Sequence, residues 1–191
     1  RDWSSDVCSS DLFLMNVIKQ EIKPKIQIRY TLMTFKKSNN EDSFRLSKDF
    51  SLKKCTKNDL ELLYPLQTSY ELVEVLPPGE EFNPDNCRLN LRHNLGNQHI
   101  FGIFSKSQNQ FVAKAGTNAI GLNWVQIGGV FTRLEYRNQG LACFLVNYIS
   151  KLMGESKKNV ALFVKDSNEF AKRAYIKAGF EPDSKFCICY F

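Results

Sequence analysis

Long apolar runs are absent from this 191-residue sequence, which contains no stretch of eighteen consecutive apolar residues. A membrane-spanning helix is therefore not expected. The N-terminal end also lacks the charged-then-apolar order of a secretory signal peptide. We therefore expect a cytoplasmic protein that does not bind membranes.

Metal-binding spacings are absent as well. The six cysteines form no C-x-x-C pair, and the two histidines, His93 and His99, form no cluster with them. A zinc site is therefore not expected, and we expect no metal ligand set. The cysteines are interpreted as reduced, buried thiols, and the histidines as structural residues.

The composition contains enough apolar material for a sizeable core, with 43% hydrophobic and 13% aromatic residues. The formal charge of +6 is uneven, because residues 13–60 hold eleven Lys and Arg against five Asp and Glu. A basic segment can attract nucleic acid, but no nucleic-acid-binding motif accompanies it. We interpret it as a solvated surface, and nucleic-acid binding remains an alternative that rests on this segment alone.

Three segments are expected along the chain. Residues 1–12 resemble the translation of a common sequencing-adaptor oligonucleotide and are interpreted as an artefact. Residues 13–43 contain an alternating run at 26–33 and then a polar linker. Such a strand is either the last strand of a truncated upstream domain or a partner of the main sheet, and the pattern leaves both open. Residues 44–191 form the main domain.

The main domain is predicted to run strand, helices, three-strand meander, helix, strand, helix, strand. Strands are predicted at 44–54, 99–105, 111–115, 124–132, 160–164 and 186–191, and helices at 59–76, 87–95, 140–153 and 168–178, with a kink or break at Pro65. The meander is antiparallel, whereas the strand–helix–strand unit requires a parallel crossover. We therefore expect a mixed sheet whose strands splay and leave a slot where its two halves meet.

A turn at the start of a predicted helix is the strongest functional signal. The strand at 126–132 leads through Arg-Asn-Gln-Gly-Leu-Ala at 137–142 into that helix. Free N–H groups and the macrodipole at a helix N-terminus favour an anion such as a diphosphate. Gly140 allows a close approach, Ala142 keeps the next contact small, and Arg137 adds a charged donor. The sequence lacks G-x-G-x-x-G, so a dinucleotide-binding fold is not expected.

Two motifs in order resemble the GNAT N-acetyltransferase superfamily. They are R-x-x-G-x-A at 137–142 and N-x-x-A-x-x-x-Y-x-x-x-G-F at 168–180. The resemblance covers roughly residues 50–191 and is tight from 126 to 180. It implies an α/β fold (α+β by stricter schemes) with a mixed, mostly antiparallel sheet, a splayed parallel pair and helices on both faces. It also implies acetyl-CoA as co-substrate.

The resemblance further implies roles for single residues. The backbone of Val130, Phe131 and Thr132 would pair with the pantetheine arm as an added strand does. Asn168 would bond the pantetheine side, and Tyr175 would lie near the cofactor sulfur. The pyrophosphate would be held by Arg137, Asn138, Gln139, Gly140, Leu141 and Ala142.

Acetyl transfer to an amine also needs acid and base groups. Tyr175 is predicted to donate a proton to the departing thiolate, and a backbone N–H near Val130 to stabilise the developing oxyanion. Some family members carry a glutamate five residues before the asparagine, where this chain has Phe163. The substitutes that we predict as candidate bases are Glu71 and Glu74. Lys114 and Gln126 are further residues expected to face the cleft.

The resulting prediction is an N-acetyltransferase that moves an acetyl group from acetyl-CoA to a primary amine by direct attack in a ternary complex. The acceptor, a small molecule or a peptide, is left open by the sequence, and so is a homodimer. The alternative is a non-catalytic acetyl-CoA-binding regulatory module, which the phenylalanine at position 163 favours.

Overall fold

The computed structural model describes residues 24–36, 45–76 and 79–190. The predicted artefact at residues 1–12 and most of the predicted linker lie outside these ranges.

The elements follow one another in the predicted order. They are β1 Ile26–Phe35, β2 Phe50–Lys54, α1 Leu60–Tyr70, α2 Pro84–Asn97, β3 Ile100–Ser105, β4 Gln110–Ile120, β5 Trp124–Thr132, α3 Leu141–Glu155, β6 Asn159–Lys165, α4 Glu169–Ala178 and β7 Phe180–Tyr190. Helix α1 is followed directly by a π-helical segment, Glu71–Val75. None of the helices in the described ranges is long and apolar enough to cross a membrane.

In the described part of the chain, seven strands form one sheet in the order β2-β3-β4-β5-β6-β1-β7. Strands β5 and β6 pair in parallel, and the other neighbours pair antiparallel. The predicted mixed sheet with one parallel pair is confirmed.

Two apolar clusters cover the two faces of this sheet. One cluster contains α3 and α4 residues such as Leu145 and Ala178, and the other contains α1 and α2 residues such as Leu63 and Leu91. Phe111 and Val112, which are adjacent in β4, belong to different clusters, because successive side chains of a strand point to opposite faces. The helices therefore pack on both faces, as predicted.

Strand β1 lies inside the sheet, between β6 and β7, and is antiparallel to both. Of the two alternatives for this strand, the structure has the one in which it pairs with the main sheet. Met33 of β1 is only 1% exposed and belongs to the core cluster of α3 and α4. The sheet thus includes residues on both sides of the predicted boundary at residue 44.

Three predicted strand limits were wrong. The first strand of the main domain is short, since only Phe50–Lys54 of the predicted 44–54 is extended. Strand β4 runs on to Ile120, where it pairs with β5. The last strand begins at Phe180 rather than at 186, directly after Gly179 ends α4. Pro182 is tolerated in β7 because β7 is at the edge of the described sheet and its register shifts near Pro182.

Helix α1 continues through Pro65, so the predicted break into two helices is wrong, whereas the kink stays a prediction. Pro65 lies inside the α-helix and is exposed. The carbonyl that a residue 65 N–H would otherwise bond belongs to exposed Glu61, where water can satisfy it. The irregularity comes later, in the π-helical segment Glu71–Val75, and it places both predicted glutamates on a wide turn.

Candidate active site

The slot predicted at the centre of the sheet lies between β5 and β6. Their parallel pairing extends only from Trp124–Asn159 to Ile127–Leu162, although β5 continues to Thr132 and β6 to Lys165. Beyond this point the β6-facing edge of β5 has no strand partner among the described residues. Such an edge offers backbone N–H and C=O groups to an extended ligand.

A bulge marks the beginning of the splayed part of β5. Between the pairs Lys114–Phe131 and Gly116–Gly128 the register shifts by one extra residue in β5. Gly129 adopts a φ of +60, and a Cβ on it would lie 3.2 Å from the Lys114 Nζ. The Lys114 Nζ donates a hydrogen bond of 2.9 Å to the Gly129 carbonyl. Glycine at position 129 therefore permits both the positive φ and the hydrogen bond from Lys114.

The three residues predicted to meet pantetheine lie along this free edge. Phe131 is 6% exposed and packs its ring edge-on against Tyr70 at 6.2 Å, on the face of α1 and α2. Val130 is half-buried and packs against the opposite cluster. The Thr132 Oγ1 is buried without a hydrogen-bond partner among the described residues. Side chains thus fix the strand from both faces and leave its edge available.

The turn at 137–140 leads into the N-terminus of α3 without any side-chain cap. Helix α3 begins at Leu141, one residue later than predicted, because Gly140 has a left-handed φ of 78 and is the N-cap. Asn138 is also left-handed, with a φ of 61. A Cβ on Gly140 would meet nothing within 4 Å, so the space above the turn is open. The uncapped amides and left-handed residues form a concave site suited to an anion.

Arg137 ties this turn to the free edge of β5. Its Nε donates to the Thr132 carbonyl at 3.2 Å, and its guanidinium lies 5.8 Å from the Phe131 ring centre. Arg137 is exposed. Because guanidinium has five N–H donors, the terminal nitrogens remain able to bind an anion.

Asn168 is the N-cap of α4. Its Oδ1 accepts from the Ala171 backbone N–H at 3.0 Å. This bond satisfies one of the free amides of the helix. The side-chain amide group is then the part of Asn168 that can donate to a ligand, and its contact with pantetheine stays a prediction.

Tyr175 extends from α4 into the core and is 8% exposed. Burial strongly raises its pKa, and the nearby negative charge of Glu74 and the neighbouring Tyr70 add to this effect. The phenol therefore keeps its proton at neutral pH. This is the protonation state that a general acid needs.

Glu74 bridges the π-helical segment to the end of β6. Its backbone carbonyl accepts from the Lys165 Nζ at 2.7 Å, and its Oε2 lies 3.7 Å from the same nitrogen. This contact spans the slot on the side where β6 ends. Glu74 also lies close enough to Tyr175 to affect its pKa.

A cleft of about 240 Å³ opens on the face of α1 and α2. Its polar lining comes from Gln67, Glu71, Asn90, Asn94, Lys114 and Asn118. Gly128 and Gly129 of the bulge form part of its wall, so the cleft reaches the free edge of β5. Lys114 faces the cleft as expected, whereas Gln126 is half-buried and does not line it.

Glu71 and Glu74 thus have different surroundings. Glu71 lines the cleft, and its Oε1 accepts from the Gln67 Nε2 at 2.9 Å. Glu74 does not line the cleft and contacts Lys165 instead. The structure brings Tyr175, Glu71 and Glu74 to the same region of the slot but gives only Glu71 access to the cleft.

Two asparagines of α2 were missed by sequence reasoning. Asn90 and Asn94 both line the cleft. They are four residues apart and therefore lie on one side of the helix. That spacing was the available signal, but nothing in the sequence placed α2 beside β4.

The position at which some GNAT proteins carry a glutamate has no carboxylate in this chain. Phe163 is 37% exposed, and its ring packs against Phe186 at 5.3 Å. Neither histidine is among the described residues that line the cleft. His93 is exposed, and the backbone N–H of His99 donates to the Thr117 Oγ1 at 3.0 Å, which agrees with structural roles.

Comparisons with known proteins bear on this arrangement. Residues 100–188 match the family described as FR47-like protein. An acetyltransferase from the GNAT family of Colwellia psychrerythraea aligns with a TM-score of 0.67 and 10% identity, covering 94% of this chain and 61% of that chain. The GCN5-related N-acetyltransferase of Sphaerobacter thermophilus aligns with a TM-score of 0.65 and 14% identity, covering 94% and 56%. The chain has the fold of these GNAT proteins.

A further GNAT-like structure is a predicted acetyltransferase from Clostridium acetobutylicum, solved with acetyl-CoA. It has a TM-score of 0.58 and 16% identity, covering 71% of this chain and 92% of that chain. A search of curated proteins found no match. The chain spans less than two thirds of the length of the Colwellia and Sphaerobacter proteins. At these identities the solved structures establish the fold, and the predicted GNAT fold is confirmed.

Proposed function

We propose that this GNAT protein transfers an acetyl group from acetyl-CoA to a primary amine by direct attack in a ternary complex. The observation that carries the proposal is the uncapped N-terminus of α3 beside the free edge of β5. The turn would hold the pyrophosphate through Arg137, Asn138, Gln139, Gly140, Leu141 and Ala142. The edge at Val130, Phe131 and Thr132 would hold the pantetheine arm.

The surroundings fit a long co-substrate with one charged end. The open space at Gly140 admits a phosphate, whereas the slot between β5 and β6 is walled by backbone and apolar side chains. Acetyl-CoA supplies the activated thioester carbonyl. An arm lying along β5 would bring that group to the bulge at Gly129, where the cleft begins.

The surroundings of Tyr175 support a role for its phenol as the proton donor. Transfer forms a bond between nitrogen and the acetyl carbon and breaks the bond between that carbon and sulfur. The departing sulfur needs a proton, and the buried phenol retains one because burial raises its pKa. After each turnover Tyr175 would regain a proton from solvent.

Glu71 is the better placed of the two candidate bases. It lines the cleft, and its Oε1 accepts a hydrogen bond from the Gln67 Nε2. Glu71 would accept the proton that the amine loses and release it to solvent. Glu74 would instead hold Lys165 across the slot and keep the surroundings of Tyr175 negative.

The test combines binding and turnover on the full chain. Calorimetry with acetyl-CoA should give one site per chain, and free thiol should appear when amine acceptors are added. The transferase would be rejected if thiol release by the native protein were no faster than in heat-denatured controls. It would also be rejected if acetyl-CoA did not bind.

The second candidate is a non-catalytic acetyl-CoA-binding regulatory module. The observation that favours it is the packed Phe163 at the position where some relatives carry a glutamate. Binding of acetyl-CoA without thiol release across amino acids, polyamines, amino sugars and peptides would support this function. Turnover with any of these acceptors would exclude it.

A further inference from the structure

Lys114 is a buried cation without a carboxylate partner. It lies on β4, is 5% exposed and lines the cleft. None of the ion pairs among residues 24–36, 45–76 and 79–190 includes Lys114. An ammonium removed from water is costly unless an opposite charge compensates it. Among the described residues, no ion pair compensates this charge.

The contacts of Lys114 orient it without neutralising it. Its Nζ donates to the Gly129 carbonyl at 2.9 Å and lies 4.2 Å from the centre of the Tyr70 ring. A carbonyl and an aromatic ring both attract a cation, but neither carries a net charge. Because an ammonium has three N–H donors, donor capacity remains for a ligand in the cleft.

An opposite charge lies elsewhere in the same cleft. Glu71 raises the pKa of Lys114 by its negative charge, against the larger effect of burial, so the two groups interact without forming an ion pair. Among the described residues that line the cleft, Lys114 is the only cation and Glu71 the only anion. A ligand with one negative and one positive end would compensate both.

The remaining polar wall is neutral and the space is small. Asn90, Asn94 and Asn118 supply carboxamides, which donate and accept hydrogen bonds. The volume of about 240 Å³ lies just below the range of roughly 300–1,000 Å³ that is usual for ligand pockets. A small molecule fits such a space better than a folded or extended polymer does.

We propose that the acceptor is a small α-amino acid, with its carboxylate bound by Lys114 and its amine beside Glu71. The inference rests on the proposed function and names the substrate class of the same site. Lys114 is bonded to Gly129, and the acetyl group would arrive at that same bulge. The amine and the carboxylate must therefore lie close together in the acceptor, as they do on one α-carbon.

The direct test uses the unaltered full chain with matched acceptors. Free L-α-amino acids are compared with their amides, which keep the amine and side chain but lose the carboxylate. Binding is followed by calorimetry and turnover by thiol release. We expect at least about tenfold weaker binding of the amides, which corresponds to about 1.4 kcal/mol. Equal binding of acids and amides, or no binding of any amino acid, would overturn the proposal.

A second readout follows the proton of Lys114. Burial lowers its pKa to about 8, and a bound carboxylate raises it again. The groups that act on it electrostatically are Glu71, Cys55 and Cys87, and Tyr70 packs against it. At pH 8, binding of an amino acid should take up as much as roughly half a proton, measured by calorimetry in buffers of different ionisation enthalpy. Binding without proton uptake would contradict the role of Lys114.

Variants separate the charge of Lys114 from its packing. Lys114→Arg should retain a preference for acids over amides, whereas Lys114→Met should lose both the preference and the proton uptake. Lys106→Met, at the exposed turn between β3 and β4, is the matched control and should behave as the unaltered chain. A Lys114→Met protein that is folded by circular dichroism and still prefers acids would refute the proposal.

These measurements distinguish two failures. Acetylation of amines without preference for a carboxylate would reject the amino acid and leave the transferase in place. Carboxylate-dependent binding without thiol release would reject the transferase and leave the site for an amino acid.

Discussion

The two sides of the slot between β5 and β6 contribute different chemical groups, backbone on one side and side chains on the other. On the α3 side the candidate site is mainly backbone, with the uncapped turn at 137–140 and the free edge of β5. On the α1 side the cleft is mainly side chains, contributed by α1, α2, β4 and the π-helical segment. A backbone site suits a co-substrate common to a superfamily, whereas side chains select an acceptor. Tyr175 belongs to the apolar cluster on the α3 side, and the charge of Glu74 in the π-helical segment acts on its pKa.

Tyr175→Phe should have the largest effect and should leave both sides intact. It removes the proton donor but keeps the buried ring, so turnover should fall about 10²–10⁴-fold. The affinity for acetyl-CoA should stay unchanged. Rates come from a thiol-release assay and affinity from calorimetry. Tyr148→Phe, on an exposed part of α3, is the control, and equal turnover of the two variants would exclude Tyr175 as the acid.

Gly140→Val should weaken acetyl-CoA binding on the α3 side and leave the α1 side unchanged. A β-branched residue is strained at a φ of 78 and would fill the open space above the turn. We expect acetyl-CoA to bind about 100-fold more weakly, or roughly 2.7 kcal/mol, while amine binding persists. Gly154→Ala lies in the same helix, also with open space around the added Cβ, and should bind normally. A folded Gly140→Val protein with full affinity would remove the turn from the site.

Glu71→Gln should affect the α1 side alone. It keeps the shape and the contact with Gln67 but removes the negative charge that faces the amine. We expect kcat to fall, because the proposed base is lost, and KM for the amine to rise about tenfold, with acetyl-CoA affinity unchanged. Steady-state kinetics over a range of amine concentrations measures this. Glu155→Gln, exposed at the end of α3, is the control, and a rise in KM common to both variants would contradict the role.

Thr56→Ala should have the smallest effect. It should lower the stability of α1, one of the helices that line the cleft. The Thr56 side chain forms a capping box with Asp59 ahead of α1. Its loss should lower the free energy of unfolding by about 1 kcal/mol, measured by urea denaturation. Acetyl-CoA affinity should remain as before. A loss of acetyl-CoA binding in a folded variant would show that the two sides are not separable.

The same contrast explains what the sequence could predict. Local signals identified the α3 side, since Trp124–Thr132 is the predicted strand and Gly179 ends α4 as expected. These features depend on glycine conformations and on residues close in sequence. The splay could also be predicted, because it follows from the junction of antiparallel and parallel pairing.

The α1 side could be predicted only in part. Glu71 and Lys114 were identified as candidates, but their shared cleft depends on how α1 and α2 pack against β4. The asparagines Asn90 and Asn94 were missed because nothing in the sequence indicated that their helix, α2, lies beside β4. The place of β1 between β6 and β7 was likewise undecided, since an alternating strand does not specify its partners.

The central claim is that the turn at the start of α3 binds the pyrophosphate of acetyl-CoA. Titration calorimetry of the full chain with acetyl-CoA, beside the Gly140→Val and Gly154→Ala variants, tests it most directly. The account predicts one site in the unaltered chain and in Gly154→Ala, and a loss of about two orders of magnitude in Gly140→Val. Folded, unaltered protein that gives no binding heat with acetyl-CoA at several temperatures would contradict it.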